Sequence, residues 1–119
     1  MYGRSVQEMK FPGARYSLKM ACGENAKRVY GSRNQLPATR MGNIAYARQL
    51  WSDAAICKRR WDDYTKRAEA GTARPNDAPR RELNLDSLAG VLSGEILVQN
   101  HCYRADEMAN VISMAHEFG

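Results

Sequence analysis

Residues 96–108 read ILVQNHCYRADEM. Three apolar residues, Ile96, Leu97 and Val98, run into Gln99, Asn100 and His101, and Arg104, Asp106 and Glu107 follow within a few positions. A short apolar run of this kind reads as a strand over residues 96–101. Side chains alternate across a strand, so Leu97, Gln99 and His101 share one face and Ile96 and Val98 the other. Ala105, Met108, Ile112 and Ala115 then recur at helical spacing and predict a helix over residues 105–118 with those four as its apolar face. Asp106 and Glu107 fall in its first turn, where carboxylates complement the helix dipole. A strand that ends on a histidine and turns at once into a helix is one step of a parallel α/β sheet. It raises the question of what His101 does there.

Working outward, RYSLKMACG (residues 15–23) is short, apolar and closed by glycine, and predicts a buried strand near residues 16–22. Leu18 and Met20 would share one face, Lys19 and Ala21 the other. A lysine inside a buried strand is costly unless something pairs with it, so Lys19 is the second residue that needs a reason. Residues 23–39 are polar, contain glycine and Pro37, and read as a long loop, as do the first dozen residues through Phe11-Pro12-Gly13. From about residue 41 to 70, Ile44, Ala47, Trp51, Ala54, Trp61 and Tyr64 form a helical stripe. Asp62 with Lys66 and Asp63 with Arg67 are acid-before-base pairs four apart. GTARPNDAPRR (residues 71–81) is a break, and a short helix over residues 85–93 carries Leu85, Leu88, Ala89 and Leu92 on one side, with Gly94 as its stop.

Composition narrows the function classes. The chain has 119 residues, of a size for one domain with a single core. No apolar run approaches the roughly 20 residues that cross a bilayer, and MYGRSVQEMK lacks the apolar centre of a signal peptide. Cys22, Cys57 and Cys102 are odd in number and far apart, which argues against a disulfide framework or a zinc knuckle. A zinc site from Cys22, His101 and Cys102 would need neighbours on one strand to point the same way. The net charge of +5 is spread along the chain among acids, not gathered into a nucleic-acid footprint. Neither a nucleic-acid nor a membrane partner is expected.

Strands alternating with helices predict a parallel α/β architecture, in which chemistry sits at the carboxyl ends of strands. Two parallel strands need neighbours and cover on both faces, so the chain reads as an internal piece of something larger. His101, and Lys19 in the same sense, would point into the mouth of a barrel. Neutral imidazole is a common metal ligand. A lysine near divalent metals can act as a carbamate, which turns a cation into an anionic ligand.

The segments VQEMKFPGARYSLKMACGENAKRVYG, PATRMGN and GEILVQNHCYRADEM resemble metal-dependent amidohydrolases of the imidazolonepropionase-like group. The resemblance implies a (β/α)8 barrel, here about two β/α units with an inserted long helix. It further implies one or two divalent metals, zinc foremost. The ligands in that group are a paired-histidine HxH motif after the first strand, often a carboxylated lysine on the fourth, histidines after the fifth and sixth, and an aspartate after the eighth. His101 then matches the fifth-strand ligand and Lys19, in LKMACGEN, the fourth-strand lysine. Glu24, Asn25, Lys27 and Arg28 would lie on the loop over the site, Tyr103 and Arg104 at the start of the next, all within reach of substrate. With only His101 and His116 in the chain the HxH motif is absent, and His116 reads as surface.

The expectation is thus a fragment of a hydrolase that cleaves C–N bonds of an amide or cyclic amide with a metal-activated water. The chain alone would be inactive, its partners being a small-molecule or peptide amide and the missing remainder of the barrel. The alternative is a stand-alone binding module without catalysis, using the basic, tryptophan-bearing helix at residues 48–67, which predicts salt-sensitive polyanion binding.

Overall fold

The structure, a computed structural model, describes residues 3–119. Its elements run α1 (Val6–Met9), β1 (Tyr16–Ala21), α2 (Gly23–Gly31), α3 (Arg40–Glu69), a 3₁₀ turn (Pro75–Asp77), α4 (Leu83–Leu92), β2 (Ile96–His101) and α5 (Ala105–Phe118). Local chemistry explains most boundaries. Thr39 caps α3 by accepting from the Gly42 amide at 2.9 Å. The helix ends where Gly71 takes φ +70°, with Thr72 N donating to Arg67 O and Gly71 N to Ala68 O. Gly94, at φ +74°, ends α4 in the same way, with Glu95 N donating to Gly90 O.

Two stretches expected as loop contain helix. Ser5 and Glu8 cap each other reciprocally and close the single turn α1; Met1, also within the expected loop, lies outside the described residues. Residues 23–39 open with α2, because Gly23 starts a helix and does not merely end the strand. Between its glycines, Ala26, Lys27 and Arg28 are good helix formers, and that propensity outweighs the flanking turn signals.

The two strands pair in parallel, Tyr16 opposite Ile96 and Ala21 opposite His101. Leu18, Met20, Val98 and Asn100 share one face of the sheet, and a cavity of about 140 Å³ lies between the last three of these and Trp51, Leu92, Met114 and Phe118. Lys19, Gln99 and His101 occupy the opposite face. Lys19 is exposed there, so the expected cost of burying it does not arise among the described residues. The firmest core joins α3 to α4: Ala54, Cys57 and Leu85 are buried, with Trp61, Leu88 and Leu92 packed against them. Gly90 lets α4 approach β2, since Ile96 Cδ1 lies 2.8 Å from where a Cβ would stand.

Three packing expectations are corrected. Met108 and Ile112 are exposed, and the buried side of α5 carries Glu107 and Met114 with Val111 and Phe118 lining the cavity. The helix has two apolar stripes, and the sheet takes the other one. On α3, Asp62 pairs at 2.7 Å with Lys58, one turn toward the amino end, in place of the expected Lys66, and no ion pair joins Asp63 to Arg67 among the described residues. Both turns of the helix offer Asp62 a lysine four residues away, and local spacing does not choose between them. Cys22 and Cys102 form a disulfide, against the expectation from their 80-residue separation. The parallel register is the cause: Ala21 faces His101, so the next residue of each strand meets the other, Cα to Cα 4.9 Å. This bond also removes both thiolates from any zinc site with His101. Cys57 is free, and burial pushes its thiol pKa up.

Candidate functional site

The carboxyl ends of β1 and β2 stand side by side, held by Cys22 N donating to His101 O at 2.9 Å. Lys19 is two register positions below Ala21, the partner of His101. A rise of about 3.3 Å per residue and a strand spacing of about 4.8 Å put the two Cα atoms about 8 Å apart. Both side chains leave the sheet on the same face and are long enough to converge on one point above it. His101 is half-buried. Asn25 Nδ2 lies 3.5 Å from its Nε2, with the direction of that hydrogen bond set by the imidazole tautomer. Tyr103 stands edge-on to the imidazole, centroids 5.8 Å apart at 70°.

The residues expected on a loop over the site sit on α2 instead. Glu24 and Asn25 fall in its first turn, with Asn25 against His101, whereas Arg28 is exposed in the last turn. Lys27 leans on Glu24 at 3.6 Å. Arg104 Nε donates to Asp106 at 2.8 Å, which raises the pKa of the guanidinium and lowers that of the carboxyl. His116 is exposed in the last turn of α5.

Sequence reasoning missed the polar centre of this edge. Arg40 Nε donates to Glu107 Oε1 at 2.9 Å, and its other arm holds Glu24. Glu107, expected to complement the helix dipole in the first turn of α5, is only 4% exposed, and its Oε2 has no partner among the described residues. Gly23 makes room for it: a Cβ there would overlap Glu107 Oε1. The one available signal was the PATRMGN string, whose arginine carried no assigned role.

As a metal centre the edge is partial. Among the described residues no three His, Cys, Asp or Glu side chains come together. An imidazole and a lysine amine on one open face still have the donor chemistry of two ligands, so the residues present fit a shared site completed by others. The basic helix has some of its charge already engaged, Arg48 with Glu117 at 2.9 Å and Lys58 with Asp62. No helix of the described residues is long and apolar enough to cross a membrane.

No family profile matches the chain. It is 38% identical over 102 residues to the amidohydrolase tasK of Hapsidospora irregularis, covering 85% of this chain and 10% of that protein. Its fold matches the crystal structure of an amidohydrolase from Thermotoga maritima MSB8 with a TM-score of 0.75 and 34% identity, over 87% of this chain and 25% of that one. The chain therefore spans a tenth to a quarter of the length of these relatives. The comparisons do not favour a separate binding module, and they do not single out the imidazolonepropionase-like group. In sequence and in fold, these residues belong with the amidohydrolases, as a segment of such a chain.

Proposed function

We propose that this chain supplies the fourth and fifth β/α units of a (β/α)8-barrel hydrolase that cleaves C–N bonds with one or two divalent metals, zinc foremost. The observation that carries the reading is the register of the two strands, which sets Lys19 and His101 on one open face at the carboxyl edge. A bound divalent metal would supply an acidified water and polarise the scissile carbonyl. His101 would offer Nδ1 to the ion, leaving Nε2 for the Asn25 side chain that steadies the ring. Lys19, exposed to solvent, can take up carbon dioxide with loss of a proton, which makes its nitrogen part of an anionic carbamate ligand. Tyr103 and the first turn of α2 flank His101, where a substrate carbonyl would approach, whereas Arg28 and the paired Arg104 reach it only from the rim.

The isolated 119 residues hold two of the required ligands and should be inactive. The test begins with the coding sequence around this frame, expected to continue into an HxH motif upstream and a strand ending in histidine downstream. The longest protein containing these residues is then purified and its metal content and amide hydrolysis measured. His101→Ala should lose metal and activity together. Lys19→Ala should lose activity and regain part of it with a small carboxylic acid as a substitute ligand. Unchanged metal and turnover in His101→Ala would sink the reading.

A further inference from the structure

We propose that Arg40 is a positioning residue, which locks α2 to α5 across the carboxyl ends of β1 and β2 and so fixes Asn25 against His101. The inference rests on the reading of His101 as a working ligand. Arg40, at the start of α3, touches both helices that follow the two strands: Glu24 on α2 and Glu107 on α5. Glu24 is the direct neighbour of Asn25, whose amide meets the His101 ring. Glu107 lies six residues beyond His101, so the fork spans both strand-to-helix connections.

The geometry is specific to this fork. A guanidinium is planar and offers donors in fixed directions, so it can hold two carboxylates at a set angle where an ammonium holds a point. Glu107 is buried with one oxygen unpartnered among the described residues, so its charge is met by Arg40 alone there. Such a carboxylate cannot leave its arginine cheaply, which anchors one end of the fork. At the other end Glu24 is only half-buried and shares Lys27, so that end sets the pose of α2 while resting on the anchored one. Gly23 admits Glu107 at a distance no other side chain would permit. Four residues of the edge, from three elements, are thus mutually dependent, and the ring of His101 is at the end of that chain of contacts.

The test uses the ring signals of the two histidines in a carbon–proton correlation spectrum of the full chain, with hydrogen exchange of the α2 amides. His116, exposed near the far end of α5, is the internal reference. Arg40→Ala should move the His101 signal, leave His116 in place and speed α2 exchange at least tenfold beyond Leu85→Ala, a core variant of comparable global instability. Arg40→Lys should fall between wild type and Arg40→Ala. Should Arg40→Ala not fold, Glu24→Gln cuts only the link to α2 and should still shift His101. A His101 signal that moves no further in Arg40→Ala, or in Glu24→Gln, than in Leu85→Ala overturns the proposal. None of these signals needs bound metal, so failure of the metal reading would show separately in metal content.

Discussion

The two faces of the small sheet differ in what covers them and in what they do. Met20, Val98 and Asn100 meet α3, α4 and α5 around a cavity. Lys19, Gln99 and His101 lie on the opposite face, where Asn25 of α2 meets the His101 ring. Packing accounts for the first face almost completely. It gives no reason for the second, where a lysine and a histidine share an open surface with Leu97 45% exposed. The difference teaches where stability and chemistry divide: a single residue step along a strand, half its period of two, separates a group that holds the fold from a group free to act.

Substitutions on the two faces sharpen that division. The largest effect is expected on the open face, where His101→Ala should cut amide hydrolysis of the full-length protein more than about 100-fold, with little change in melting temperature. At the rim, Gly23→Ala should destabilise by about 3 kcal/mol in denaturant titration, because it forces Glu107 off Arg40 and leaves a buried carboxylate unpaired. On the covered side, Met114→Ala should cost about 2 kcal/mol, at the low end for a buried methionine because the site already borders a cavity. Asn100→Leu, next to His101 but on the covered face, should be neutral or stabilising by up to about 1 kcal/mol, since it removes a buried oxygen without a partner among the described residues. A large loss there would break the comparison.

The smallest effect belongs to the surface. Arg104 holds the Asp106 carboxyl below its usual 3.8 by donating a hydrogen bond. A depressed carboxyl contributes stability above its unfolded value and loses it as pH falls through the folded one. Asp106→Asn should therefore lower stability slightly at neutral pH, and the difference from wild type should fade as pH falls below 3.8 or as salt is added. Acid titration of melting temperature with and without salt checks it.

Much of this was legible locally. The strand at residues 96–101 and the helix at 105–118 stand where hydrophobic pattern places them, and Gly71 and Gly94 mark the helix ends they were expected to mark. Alternation alone put Lys19 on one face of its strand and His101 on one face of the other, and family resemblance supplied a reason for both. The first turn of α2 was hidden because Gly23 is both the end of a strand and the start of a helix. The stripe on α5 was misread because a helix with two apolar stripes does not say which one its neighbours will cover.

By itself, then, the sequence determined the order of the two strands and of the helices α3, α4 and α5, the alternation along each strand and the kinship to amidohydrolases, since each depends on residues close together in the chain or on strings of letters. Tertiary structure alone decided that Cys22 meets Cys102 and that Arg40 reaches Glu107. These contacts join segments 80 and 67 residues apart. They are fixed by the register of two parallel strands and the seating of three helices, and no local period carries that information.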